Sequence, residues 1–324
     1  MKKTFVAALV ASAAGLVVAP AVMAAEDTVK ITPLGSHDGE FCPLDRALVF
    51  EDPDGTRILY DAGRTVRGPD DPRLGDIDAV LLSHVHGDHL GDRIAPEANA
   101  GTCDKPDFSV AVTPDSNSVN IVVGKNAEFI VGGEMEAFFA RKVETAGGDP
   151  ELVKRLRFGA SRMVGAVQVA SVPAVHSNGL SPAFLEGDLA QSLKESGLTA
   201  YVGPPGGYVV IFSNGLVAYL SGDTGITAEQ DLVVRRHYEA NLAVMNIGGT
   251  NTTGPTEAAW VINELVQPKS VIASHANEPA TESGKLRDGT LTKAFIDAAS
   301  VPVHIPLSGE TMEFDGSGSC VAGC

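Results

Sequence analysis

Apolar positions in this chain come in short β-branched runs separated by turn residues, a pattern that predicts sheet before helix. Residues 46–51 and 56–60 read as strands flanking Asp52-Pro53-Asp54-Gly55, a hairpin turn. Residues 208–213 and 216–220 flank Asn214-Gly215, the strongest short-range hairpin signal in the chain. Between these pairs, residues 133–139 and 150–158 read as helices joined through Gly147-Gly148. Residues 255–266 and 290–299 read as later helices, each leading into a short strand, with Pro255 suited to a first helical turn. Strand-rich halves with helices interleaved late predict an α/β fold: an αββα sandwich of two mixed β-sheets with outer helices.

Several apolar runs end on a residue that can bind a metal. Ile77-Asp78-Ala79-Val80-Leu81-Leu82 leads into Ser83-His84-Val85-His86-Gly87-Asp88-His89, with three imidazoles and a carboxylate within six positions. Imidazole nitrogen and carboxylate oxygen are ligands for zinc, iron or manganese. Without a cation, four such groups against an apolar strand would desolvate or repel one another. Val172-Pro173-Ala174-Val175 delivers His176, Leu220-Ser221-Gly222 delivers Asp223, and Ser270-Val271-Ile272-Ala273-Ser274 delivers His275. Taken singly, His176 or His275 could be an ordinary hydrogen-bonded histidine and Asp223 a turn-forming residue. Strands side by side would bring all of these ends to one rim.

With these residues in view, the chain resembles the metallo-β-lactamase-fold metal-dependent hydrolases, closest to the ascorbate-phosphate-lactonase-like branch. The matching segments are Ile58-Leu59-Tyr60-Asp61-Ala62-Gly63, the His-x-His-x-Asp-His stretch, His176, Ser221-Gly222-Asp223-Thr224-Gly225 and Ser274-His275. Asn246-Ile247-Gly248-Gly249 through Gly254-Pro255-Thr256-Glu257 is also similar. The resemblance implies two divalent metal ions, zinc first, with manganese or iron as alternatives. His84, His86 and His176 would hold one, Asp88, His89 and His275 the other, and Asp223 would bridge them. It further implies a metal-bridging hydroxide as the attacking group, with Asp88 and Asp223 as the catalytic carboxylates. Asp61 would support the ligand loop from behind, or simply cap its turn with Gly63. The chain departs from the pattern at Ala276-Asn277-Glu278-Pro279, where relatives often carry an aromatic residue, and in the long separation of His89 from His176.

Composition sets limits around this centre. The 324 residues, 44% of them apolar, suit one large domain over residues 25–324. Residues 1–24, with Lys2-Lys3 before an apolar stretch and small residues near Ala24, read as a secretory signal peptide, so a secreted or periplasmic product is expected, without stable membrane insertion. The net charge of −17 becomes −19 once Lys2 and Lys3 are removed. So acidic an envelope repels phosphate backbones and argues against nucleic acid as a partner. Cys42, Cys103, Cys320 and Cys324 belong to an oxidising compartment. Cys42 with Cys103 and Cys320 with Cys324 is one of three pairings, among which sequence cannot choose.

An insertion about residues 134–162 and a lid about residues 180–207, the latter reading mainly as a long connection, could shape a substrate pocket or be surface decoration; the former could also serve a homo-oligomer. Tyr201, Asn251, Thr252 and His37 are candidate contacts to a small-molecule substrate. The expected activity is hydrolysis of a small ester, lactone, amide or phosphoester. Rivals are β-lactam hydrolysis, a flavodiiron-type oxidoreductase and a non-catalytic metal-binding protein.

Overall fold

Both turn-marked hairpins form, and they lie in two different sheets that face each other. A computed structural model describes Met1 and residues 27–324. The leader read at residues 1–24 falls, Met1 apart, outside the described residues. In chain order the first six strands of the two large sheets are β1 (Val29–Pro33), β2 (Leu48–Glu51), β3 (Arg57–Tyr60), β4 (Ala79–Leu81), β5 (Glu128–Val131) and β6 (Val153–Arg155). Seven more follow: β7 (Ser161–Val164), β8 (Val167–Pro173), β9 (Gly206–Ile211), β10 (Val217–Leu220), β11 (Leu242–Asn246), β12 (Ser270–Ser274) and β13 (Val303–His304). The chain closes on β14 (Met312–Phe314) and β15 (Cys320–Ala322).

The first sheet has the order β6-β5-β4-β3-β2-β1-β14-β15, and the second runs β7-β8-β9-β10-β11-β12-β13. Each is antiparallel in one half and parallel in the other: β3, β4, β5 and β6 run together, as do β10, β11, β12 and β13. Ile31, Phe50, Ile58 and Leu81 from the first sheet meet Val169, Val210, Leu220 and Ile272 from the second in a buried core between them. Phe50 stacks on Phe212 across that core at 5.9 Å. Asp52, in the first hairpin turn, accepts from the Ser213 amide and hydroxyl at 2.8 and 2.6 Å and so ties the two hairpins together.

Helices cover the outer faces. The short α1 (Gly87–Leu90) leaves β4; α2 (Asn117–Lys125) and α3 (Glu136–Thr145) bury Ile121, Val122, Phe139 and Val143 against the back of the first sheet. After the exposed α4 (Gly187–Ser196), α5 (Pro255–Trp260) widens into a π-helical turn through Val266, and α6 (Leu291–Ala298) follows. Ala258, Ile262 and Phe295 from these last two pack on the back of the second sheet. The layering is the expected αββα sandwich. Among the described residues no helix is long and apolar enough to cross a membrane.

Two expectations change. Residues 150–158 are not a helix: one tight turn at Pro150–Leu152 is followed by β6, which pairs in parallel with β5. A sheet edge with unpaired donors outweighs weak local helix preference there. Residues 180–207 are not mainly an unstructured connection: α4 lies within them, between short ladder segments at Gly179–Leu180 and Ala200–Tyr201. Leu180 and Phe184 bury into the apolar layer behind the first sheet, alongside α3. The structure pairs Cys42 with Cys103 and Cys320 with Cys324.

Candidate metal centre

Chain direction puts the ligand-bearing strand ends on one rim. Strands β8, β10 and β12 point the same way, because β9 reverses between β8 and β10 and β10 to β12 are parallel. His176, Asp223 and His275 follow their C-terminal ends. Across the interface, the loop after β4 supplies His84, His86, Asp88 and His89. The sheets are latched beside the site, since the Gly206 amide donates to the Ser83 carbonyl and the Tyr208 hydroxyl to the Leu82 carbonyl.

All seven residues come together in two adjoining groups, His84, His86, His176 and Asp223, and Asp88, His89 and His275. Asp223 sits between them: its Oδ2 is 3.7 Å from His84 Nε2, 3.6 Å from His176 Nε2 and 3.0 Å from His275 Nε2, and its Oδ1 is 3.3 Å from His89 Nε2. Asp88 Oδ2 lies 3.7 Å from His89 Nε2 and 3.6 Å from His275 Nε2.

These spacings suit a cation. Ligand atoms about 2.1 Å from a tetrahedral ion stand roughly 3.4 Å from one another. His84 Nε2, His89 Nε2 and Asp223 Oδ1 are also buried with no hydrogen-bond partner among the described residues. Three inward-facing orphaned atoms are costly unless something binds them. The donor set therefore fits divalent metal ions.

Electrostatics sort the ligands. Burial pushes His84 well below the usual imidazole range, helped by the charge on His89; His86 and His176 are lowered by burial, and His86 also by its neighbour His176. His89 goes the other way. Burial opposes its charge, but Asp223, Asp88 and Asp61 outweigh it and raise the imidazole to about 10. Burial also opposes ionisation of Asp88 and Asp223, yet His89 and His275 hold both carboxyls well below the ordinary carboxylate range.

The loops behind the ligands fix their aim. Asp61 accepts from His89 Nδ1 at 2.7 Å and from the Ser83 amide and hydroxyl at 2.8 and 2.7 Å. It thus supports the histidine loop from behind, and its left-handed backbone (φ 44°) also makes the turn. His275 is left-handed as well, at φ 52°. Gly248 backs it closely: a Cβ there would lie 2.4 Å from the His275 carbonyl oxygen and 2.8 Å from its Nδ1. Asn246 holds the Asp223 loop by donating to the Thr224 carbonyl at 3.0 Å while its Oδ1 accepts from Ser221. Thr224 accepts from the Val175 amide and so couples this loop to that of His176.

The centre opens into a cavity of about 610 Å³ lined by ligands and by Leu44, Arg64, Ser177, Thr250, Asn251 and Asn277 among others. Asn251 is the one proposed substrate contact placed there. Thr252 lines the adjoining groove. Tyr201 is 76% exposed on the ladder beside α4, and His37, which bonds Ser36, is not in the lining. Residues 134–162 and 180–207 contribute nothing to the lining. Sequence reading missed Arg46, whose buried guanidinium donates to Asp88 Oδ2 at 3.0 Å and to Asn277 Oδ1 at 2.6 Å. An arginine opening an apolar strand was the only available signal.

Comparison with known proteins gives the chain's family. The profile of the beta-lactamase superfamily domain matches residues 56–276, from β3 to just past His275. The chain belongs to the beta-lactamase superfamily. Within it, the chain is 31% identical over 238 residues to a metal-dependent hydrolase of Pelotomaculum thermopropionicum, covering 73% of this chain and 82% of that one. This places it in a family of metal-dependent hydrolases. The fold is similar to that of Igni18, a metallo hydrolase of Ignicoccus hospitalis, with a TM-score of 0.59 at 20% identity over 89% of this chain and 99% of that one. It is also similar to CmlA, a diiron β-hydroxylase from Streptomyces venezuelae, with a TM-score of 0.53 at 11% identity over 90% of this chain and 55% of that one. One scaffold thus hosts different chemistries, and the fold alone does not fix metal or substrate.

Proposed function

We propose that this superfamily member is an exported dinuclear hydrolase that cleaves a small-molecule ester, lactone, amide or phosphoester. The supporting observation is the pair of adjoining ligand groups, with Asp223 in reach of both, opening on a single cavity. His84, His86 and His176 would hold one cation, Asp88, His89 and His275 the other, with Asp223 shared. Zinc is our first assignment because it outcompetes manganese and iron for nitrogen-rich sites. Such ions would make a bound water acidic near neutral pH and polarise the scissile bond.

The chain's own residues supply the rest. Ionised Asp88 and Asp223 are the proton acceptors within the site. Asp61 fixes the His89 ring, and Arg46 fixes Asp88, so neither needs to reorganise during reaction. Export rests on the leader-like residues 1–24, and the charge of −17 supports a small-molecule substrate over nucleic acid.

The test is a metal count followed by turnover of acyl-lactones, p-nitrophenyl esters, bis-p-nitrophenyl phosphate and nitrocefin, on protein loaded with zinc or with manganese. Turnover of one class, lost in Asp88→Asn, supports the proposal and names the bond. Nitrocefin alone would make it a β-lactamase. Two bound ions without any turnover would favour a binding role.

A further inference from the structure

The cavity beside the metal centre has no uncommitted carboxylate, although the chain around it is strongly acidic. Its only carboxylates are Asp88 and Asp223, both engaged by the histidine groups, and its one cation besides histidine is Arg64. Arg64 is anchored from behind: Nε and Nη2 grip Asp92 at 2.7 and 3.1 Å. Its Nη1 has no partner among the described residues, and the side chain is 24% exposed. Arg46, by contrast, spends all three nitrogens on Asp88, Asp45 and Asn277. Because Asn277 turns its Oδ1 to Arg46, the part of its amide left over is a donor, Nδ2. Charged and amide donors thus stand free in the lining, while no carboxylate does.

We propose that Arg64 is a specificity residue whose free guanidinium edge binds an anionic group of the substrate, a carboxylate or a phosphate, while the susceptible bond lies at the metal centre. The inference rests on the hydrolase reading and narrows it to anionic small molecules. A pre-anchored guanidinium suits such a group because its donors are planar and already oriented. The competing role is a brace, since the Arg64–Asp92 pair also steadies the histidine loop: Asp92 accepts nothing from that loop but donates its amide to the Gly87 carbonyl at 3.1 Å.

Calorimetric titration separates the two. Zinc is counted first, so failure of the metal reading is seen before any anion is added, and the metal-free protein can be titrated in parallel. The probes are succinate and succinamate, which differ by one carboxylate, and 3-phosphonopropionate. Wild type should bind succinate or 3-phosphonopropionate about tenfold or more tightly than succinamate, the worth of one charge-assisted contact. Whichever is tighter identifies the oxyanion. Arg64→Gln should abolish the preference while leaving succinamate binding and the zinc count unchanged. Asp92→Asn removes the same ion pair but frees the guanidinium, so it should keep or widen the preference. A preference under tenfold in wild type, one that survives Arg64→Gln, or equal loss in both variants overturns the proposal.

Discussion

Asp61 accepts a hydrogen bond from Nδ1 of His89 at 2.7 Å, and that contact leaves Nε2 of the ring as the atom facing Asp223 and Asp88. Partners behind a ligating histidine typically change metal affinity ten- to a hundredfold. Asp61→Asn should weaken one of two bound zincs by about that factor and spare the other. Asparagine tolerates the left-handed backbone at this position, so the turn survives and the carboxylate alone is tested. Competition with a chelating dye gives both constants; equal weakening of both would show a general loosening instead.

Proton release follows from the same ring. Without metal His89 is raised to about 10, so at neutral pH it carries a proton. A cation taking Nε2 must displace that proton, and affinity there should climb about tenfold per pH unit up to roughly 10. Calorimetry at pH 7.5 in two buffers of different ionisation enthalpy should report close to one proton per protein from this group. Uptake of zinc with no buffer dependence would contradict the assignment.

Asp45 carries a different pH signature, one of stability. It is buried and accepts from the Ser36 and Cys42 amides, and burial raises it to about 6 from an ordinary 3.8. The folded state then prefers the protonated form, so its contribution is fully present below pH 3.8 and lost as pH rises through 6. The loss is about 3 kcal/mol. Other carboxylates slope the opposite way, so the measurement is the difference between wild type and Asp45→Asn in urea unfolding. That difference should fall from pH 4 to pH 6.5, and a flat one would refute the burial argument.

Gly248 has room for no side chain. Alanine there must push His275 back from the position its carbonyl and Nδ1 now hold. Gly248→Ala should therefore lower the zinc count towards one while far-ultraviolet circular dichroism stays unchanged. Retention of two zincs at wild-type affinity would show that the loop yields more easily than the contact implies.

Local chemistry explains what could be read in advance. Asp52-Pro53-Asp54-Gly55 and Asn214-Gly215 form hairpins because the turn residues themselves favour the backbone they adopt. The seven ligand-type residues were visible because they follow the ends of four apolar runs, four of them clustered after the run at 77–82. Val153–Arg155 was not legible as a strand, since its partner is the distant Glu128–Val131. Helix α4 buries none of its residues, so it left no apolar stripe to read. Arg46 acquires its role only where the fold brings Asp88 and Asn277, far along the chain, against it.

The centre is assembled from both sheets, with four of its residues after β4 in the first and the others after β8, β10 and β12 in the second. Neither sheet alone supplies all of either ligand group. A chain whose sheets have not yet docked has therefore only fragments of a binding site, and a bound metal would act as a clasp that closes after folding. Whatever binds only the closed form stabilises it by mass action, by about 4 kcal/mol when free ion exceeds its dissociation constant a thousandfold. Scarcity of the ion would then first be felt as faster separation of the two halves and faster proteolysis, even under conditions where no substrate is present.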